Sequence, residues 1–487
     1  MKAEVNAEKD EQKQRMMEAA TLVKKVQNLL KGVNTPETFD QCATLLTDAI
    51  ALRPRAQYYA QRGHCFISMN QPNRALMDYS QAVRLEPQVA KHYSKRGLCF
   101  RKLGRIDEAL IDYNDAIKLG QDVAQYYFER ALVYIDLEQF DAAVSDFTSA
   151  LDRRLGSTLF KALFHRGVCY RKLGLLADSV KDLKDALEAD SGAMGDNAPK
   201  AEAHNHLGLS YMMQQNFEGA KEQFNMAVDK KADESKYWNN RGLASFHMQV
   251  HEDAIADFTE AIERNAADPA IFFNRGCAQY ALEKHDLALE DYEISISLNE
   301  DNPVYWHHKG LAFEAMEHVR EGIDAFSRAL EVDSLHAPSR FHLGIMYHCD
   351  GQYARALQTF NDVNPKDQHL FEKRGKTFSA MKRFEEALAD FNQAISIDNT
   401  RSGYFLERGR VFLRQEKNDL AITDFNQALT LDADGPECAL IHNDRGTIYI
   451  FESNLKLKTI LSTNYLHIKF SKFHLIMKTR AGVPREG

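Results

Sequence analysis

An all-α solenoid of about twelve helix pairs is the architecture this sequence predicts, and three observations predict it. A small residue recurs at Gly63, Gly97, Ala131, Gly167, Gly208, Gly242, Gly276, Gly310, Gly344, Gly375, Gly409 and Gly446, and seven of the eleven intervals are 34 residues. Large apolar side chains surround each of these positions at helical spacing. Downstream of seven of the twelve come an Ala, an aromatic and a second Ala, as at Ala254, Phe258 and Ala261 after Gly242. A fixed period of this size signifies stacked supersecondary units, each touching its neighbours alone.

Taken in order, residues 1–22 form a polar, helical extension rich in Glu, Lys and Gln. The repeat array runs over 23–450 and opens with a degenerate unit at 23–55, where Val26, Leu29, Leu30 and Val33 share one stripe. Thr35-Pro36 supplies a capping hydroxyl and a proline at the first helical position for the second helix of that unit. Regular pairs follow. In the copy that begins at Ser235, a polar turn around Gln249–Glu252 parts the first helix from a second over Asp253–Ile262. The glycine and the alanines mark where helix axes come closest, and the aromatics fill the space between them. The interval from Gly167 to Gly208 is 41 residues, and the surplus falls in an exposed loop at 190–200 containing two glycines and a proline. A surface insertion is the simpler reading; a hinge between 23–190 and 201–433 is the alternative. Near Phe360–Pro365 the interval is three residues short, so a helix there should end early. The last unit, 439–450, is incomplete. The tail 451–487 departs from the pattern and turns basic, as expected of an unrelated, poorly ordered end; an interfacial helix over Leu455–Met477 is a weaker reading.

Trp238, Arg241-Gly242, Ala254, Asp257-Phe258 and Ala261, repeated so many times, resemble the tetratricopeptide repeat over roughly Val23–Ile450. The resemblance implies a right-handed superhelix of about twelve helix-turn-helix repeats whose first helices line a concave groove that holds a partner. Two departures stand out. A closing proline is present at Pro54 and Pro87 but mostly absent later, and Ser245 stands where an aromatic is usual, with Phe246 displaced by one.

One pattern goes beyond that template. Arg precedes the glycine and Asp follows sixteen residues later in eight units: Arg62/Asp78, Arg96/Asp112, Arg130/Asp146, Arg166/Asp182, Arg241/Asp257, Arg275/Asp291, Arg374/Asp390 and Arg408/Asp424. The exceptions, Leu207/Gln223, Lys309/Ala325 and Leu343/Thr359, change together. Joint loss points to side chains that meet between the helices, where guanidinium and carboxylate share two hydrogen bonds. A row of arginines for a phosphorylated ligand is the alternative.

Bulk composition narrows the function. The net charge of −9 gives no reason to expect nucleic acid or an anionic membrane as partner. With 27% charged residues and no apolar run of eighteen, the chain does not read as membrane-spanning. Its seven cysteines are scattered, and Cys65, Cys99 and Cys169 each follow the template glycine by two, as small core residues in a reducing, cytoplasmic setting would. The resemblance adds cilium-associated assemblies to that setting. No P-loop, nucleophile elbow or dinucleotide turn is present, so neither an enzyme nor a cofactor site is expected. The histidine pairs His204/His206, His307/His308 and His342/His348 lack Cys or carboxylate partners at ligand spacing.

What remains is the groove that the resemblance implies. Placed by offset from the glycine, its candidate residues are Asn205, His206, Asn239, Asn240, Asn274, His308 and His342, an asparagine ladder flanked by histidines. Amides donate and accept, so they can pair with a peptide backbone whatever its sequence. Nearer the N-terminus the same surface is basic, at Lys91, Lys95, Arg101, Lys102, Lys161, Arg171 and Lys172, and suits an acidic segment. The two-carboxylate clamp of chaperone-binding relatives is not reproduced: Leu98, Leu132 and Val168 occupy its asparagine place. The expectation is a non-catalytic scaffold or adaptor that binds a protein or peptide partner. The substrate-recognition arm of a larger enzyme and a co-chaperone are the alternatives.

Overall fold

Among the described residues, eleven helix pairs are each closed by one residue in the left-handed region. Positive φ occurs at Asn70, Glu138, Gln215, Gln249, Glu283, Glu317, Lys382 and Glu416, and at Gly104, Gly174 and Gly351. Every one lies seven residues after the template's small residue. In the copy at 235–264, Gln249 (φ 62°) ends the first helix, and the Val250 amide donates to the Ser245 carbonyl at 3.0 Å. The chain reverses there and the second helix begins at once.

The structure is a computed structural model; it describes residues 2–32, 35–153, 156–189, 197–363, 368–432, 437–450 and 453. All its regular elements among those residues are helices. The chain divides into two units, 1–265 and 266–487. In the first, α1 (Lys2–Leu29) and α2 (Pro36–Leu52) precede α3 (Ala56–Ser68), α4 (Pro72–Leu85), α5 (Ala90–Lys102), α6 (Ile106–Leu119), α7 (Ala124–Asp136) and α8 (Phe140–Asp152). They are followed by α9 (Leu159–Lys172), α10 (Leu176–Ala189), α11 (Ala198–Met213), α12 (Phe217–Lys230), α13 (Ser235–His247) and α14 (His251–Arg264). The second unit holds α15 (Pro269–Ala281), α16 (His285–Leu298), α17 (Pro303–Ala315), α18 (Val319–Val332), α19 (Ala337–Cys349) and α20 (Tyr353–Asn361). Its later helices are α21 (Gln368–Ala380), α22 (Phe384–Ile397), α23 (Ser402–Arg414) and α24 (Asn418–Leu431), with further helical residues at 438–450. Within each unit every helix packs on the next, and odd-numbered helices also touch one another along one side, as α5 touches α7 and α17 touches α19.

At the N-terminus one continuous helix covers both the polar extension and the first helix of the degenerate unit. Ala19 is already fully buried, with Val23 and Val26 one and two turns on. Thr35 caps α2 by accepting from the Thr38 amide at 3.3 Å, with Pro36 beside it. The longer interval does not separate its neighbours. Helices α10 and α11 pack together, and Ser179 and Ser210 share a buried hydrogen bond of 2.8 Å. Residues 190–196 of that interval lie outside the described residues, and the division into units falls instead at Asn265/Ala266. In the short interval, α20 stops at Asn361 after nine residues. Residues 364–367, and the tail apart from Ser453, lie outside the described residues.

The core of most pairs is a ring set against a glycine; at Gly167 the facing side chain is Leu183 instead. Phe258 is fully buried with an edge on Gly242, where a Cβ would stand 2.7 Å from Cε1. Tyr292 meets Gly276, Phe326 meets Gly310 and Phe425 meets Gly409 in the same way. Ala131 shows that a methyl fits when the ring opposite, Phe147, is suitably placed; both are fully buried. Elsewhere the ring has already closed in. At Gly344 an added Cβ would stand 2.5 Å from Phe360, against 3.1 Å from Phe391 at Gly375. Gly344→Ala is therefore expected to lower stability by about 1–3 kcal/mol through overpacking. Gly375→Ala should cost less, its helix-propensity gain offsetting a milder clash. Denaturant melts of the two variants test the order; equal losses would contradict it.

Candidate functional site

The Arg–Asp pairs are the most regular polar feature of both units. Arg62 donates from Nε and Nη2 to the two carboxylate oxygens of Asp78 at 2.9 and 2.7 Å. The same fork joins Arg96 to Asp112, Arg130 to Asp146, Arg166 to Asp182 and Arg241 to Asp257. In the second unit it joins Arg275 to Asp291, Arg374 to Asp390 and Arg408 to Asp424. These carboxylates are at most 6% exposed, so they depend on the guanidinium for their charge. The bond to Asp78 raises the Arg62 pKa although burial opposes it.

Two further features of the pair emerge only in three dimensions. Aromatic rings flank the guanidinium, Tyr59 and Phe66 at 5.8 and 5.9 Å for Arg62 and Tyr127 and Tyr134 at 5.9 and 5.7 Å for Arg130. In several of the pairs its remaining nitrogen reaches back to the preceding repeat. Arg130 Nη1 donates to Asn114 (2.6 Å), Arg166 to Thr148 (3.0 Å), Arg241 to Asn225 (2.9 Å) and Arg408 to Asn392 (2.7 Å). One side chain thus ties two helices of its own repeat and staples that repeat to the one before. The sequence carries a signal for this, a polar residue two positions after the template Asp, which the Arg–Asp spacing alone does not reveal. Where the pair is missing the contacts change: His204 meets Gln223 at 2.9 Å, and Lys309 meets Glu293 at 2.9 Å. Because the eight arginines are engaged this way, they are not a free row for a phosphorylated ligand.

On the first-helix side of the first unit, a cleft of about 670 Å³ opens between α3 and α5. Leu30, Ala60, Tyr79 and Val89 make its apolar part, and Gln57, Gln61, His64, Lys91 and Lys95 its polar part, together with Glu86, which lies 3.3 Å from His92. Gln61 Oε1 is buried there without a hydrogen-bond partner. Lys91, Lys95, Lys102, Lys161 and Lys172 make no ion pair or hydrogen bond among the described residues, whereas Arg101 forks onto Asp136. Arg171 Nη2 lies 3.1 Å from His206 Nδ1, and His206 Nε2 lies 3.3 Å from Glu202. Hydrogen bonds from His206, Lys236 and Tyr237 hold Glu202 down to about 2 against the effect of burial.

The asparagines fare differently from the lysines. Asn205 is only 3% exposed, and its Oδ1 accepts from Asn240 Nδ2 at 2.8 Å. Its amide is therefore spent inside the protein and is not offered to a guest. Asn239, Asn240 and Asn274 are partly buried. In the second unit His308 lies against Phe273 and Tyr292, and His342 pairs with Glu314 at 2.7 Å. His307, absent from the groove set, is the more deeply buried neighbour; it contacts the rings of His308, His336 and His342 and bonds Ser339 at 3.1 Å. Among the described residues, no three His, Cys, Asp or Glu side chains are arranged to hold a metal ion, and no helix is long and apolar enough to cross a membrane.

Helix pairs of fixed period, closed by a left-handed residue and packed ring against glycine, define a helical-repeat protein. The chain belongs to the tetratricopeptide repeat family: the family's models match residues 61–124, 128–194, 205–269, 248–303, 308–369 and 406–450, and again 369–401. Over 89 residues it is 25% identical to anaphase-promoting complex subunit 3 of Dictyostelium discoideum, a stretch that is 18% of this chain and 9% of that protein. Among solved structures it resembles the APC/C hetero-tetramer Cut9-Hcn1 at 12% identity and a TM-score of 0.43, covering 88% of this chain and 96% of that one. It also resembles yeast Tom70, at 14% identity and a TM-score of 0.35, covering 89% and 96% of the two chains.

Two outcomes follow from this geometry. Arg275→Ala leaves the Asp291 carboxylate buried and unpaired and should cost about 3–5 kcal/mol, whereas replacing both residues by apolar ones should cost less. Chemical unfolding of the single and double variants measures this, and equal losses would remove the pair from the stability account. Burial draws His307 to about 3 and His308 to about 4, from an ordinary 6.5. The unfolded chain therefore binds more protons below pH 6.5, so stability is whole above that value and declines as pH falls toward 4. His308→Phe should flatten that decline by about one proton's worth; an unchanged pH profile of unfolding would rule the histidine out.

Proposed function

We propose that this protein is a non-catalytic scaffold that holds an extended acidic segment of a partner protein along the first-helix side of its first unit. The observation that carries this reading is the unspent positive charge there. Lys91 and Lys95 border the cleft between α3 and α5, Lys161 and Lys172 bracket α9, and the described residues give none of the four a carboxylate. On a chain whose net charge is −9, such a local excess draws acidic ligands and turns away basic ones. The apolar part of the cleft adds room for one uncharged side chain of the segment, beside Leu30 and Val89. A reducing, cytoplasmic setting fits this reading: the seven cysteines are free, and burial pushes the Cys65, Cys99 and Cys169 thiols up to about 12.

Fluorescence anisotropy with a labelled Asp/Glu-rich dodecapeptide and its Asn/Gln counterpart tests the reading. The acidic peptide should bind more tightly, more weakly as salt rises, and at least about tenfold more weakly to Lys91→Glu/Lys95→Glu. Equal affinity for the two peptides would end the proposal.

A further inference from the structure

Two arginines occupy one template position in the first unit and meet opposite circumstances. Arg101 stands four residues after Gly97, and its partner Asp136 stands five after Ala131 on the next first helix, α7. Arg171 likewise stands four residues after Gly167. The residue five after Gly208 on the next first helix, α11, is Met213, which is 52% exposed. The place of the carboxylate is thus held by a thioether.

Arg171 shows the consequence. Its one hydrogen bond among the described residues runs from Nη2 to His206 Nδ1 (3.1 Å), and its Nε is buried without a partner. No carboxylate pairs with it there, and burial draws its pKa below the ordinary value with no acid opposing. His165, on the same helix, is drawn to about 4 by burial and then by the charges of Arg101, His206 and Lys161. Positive groups therefore converge on this stretch of α9. A guanidinium stays charged in proteins, and one that is half desolvated gains from a planar, bidentate anion more than from water.

We propose that Arg171 is the residue with which the first unit reads a carboxylate of its guest: an Asp or Glu side chain of the bound segment takes, against Arg171, the place that Asp136 holds against Arg101. The inference rests on the acidic-segment reading above and assigns that reading its point of register. Lys91 and Lys95 supply attraction without geometry, since an ammonium is a point charge. The fork of Arg171, whose Nε has no partner among the described residues, supplies direction. The pairing is non-covalent and needs no co-reactant.

The test uses the full chain and a fluorescein-labelled, amidated decapeptide of alternating Asp and Gly, followed by anisotropy. Arg171→Met should weaken binding about 10- to 100-fold, as loss of a charge-assisted fork does, and Arg171→Lys should fall between it and the native chain. Met213→Asp is the decisive variant. It restores within the chain the carboxylate that Arg101 already has, at an exposed position, and so should compete with the peptide and weaken binding as much as Arg171→Met while the helical signal and melting temperature hold. If Arg171→Met and Met213→Asp both bind like the native chain while Lys91→Glu/Lys95→Glu loses the peptide, the assignment to Arg171 is overturned and the acidic-segment reading stands. If the native chain does not bind the peptide, both are overturned.

Discussion

The close approach of two helices at a glycine is the constraint on which everything else in each repeat depends. At Gly242 the first helix has no side chain to place between its backbone and Phe258, so the ring lies against the helix itself. That contact draws the second helix near enough for Asp257, the ring's neighbour in sequence, to face Arg241, the glycine's neighbour. A bulkier residue at 242 would move the ring outward and with it the carboxylate. Packing brings the charge pair together but does not need it: at Lys309/Ala325 the polar half is gone while Gly310 and Phe326 keep their contact.

The polar half does more than join two helices. Because a guanidinium offers nitrogens beyond the two that face its carboxylate, Arg130 and Arg408 also reach amides of the preceding repeat. Lysine could not do both, having one compact charge. Lys309 illustrates this: it makes the backward contact, to Glu293, while its own repeat offers it Ala325 in place of the carboxylate. The arrangement keeps neighbouring repeats in register without a large shared core, as a chain of small units requires.

Function then lives in what this internal bonding leaves over. Most charged side chains on the first-helix side of the first unit divide into those already paired with an opposite charge, such as Arg101 and Glu202, and those with no carboxylate partner among the described residues, such as Lys95 and Arg171. The second group is the one a guest can use. Asn205 is likewise engaged, its Oδ1 accepting from Asn240.

How much of this could be read from the residues follows the same division. The period of 34, the small residue and the aromatic sixteen later determined helix pairs and their core, because packing of that kind is enforced by side-chain size and repeats wherever the sizes do. The Arg–Asp spacing was legible for the same reason. The left-handed turn residue was not: it is Gly in three repeats, but Glu, Gln, Asn or Lys in eight, since exposed polar residues tolerate that conformation when the helix end demands it. Nor could the sequence tell Arg101 from Arg171, or show that Asn205 is hidden. Those distinctions depend on which side chain of the neighbouring repeat lies opposite, a distance across space that only the stacking of helix on helix decides.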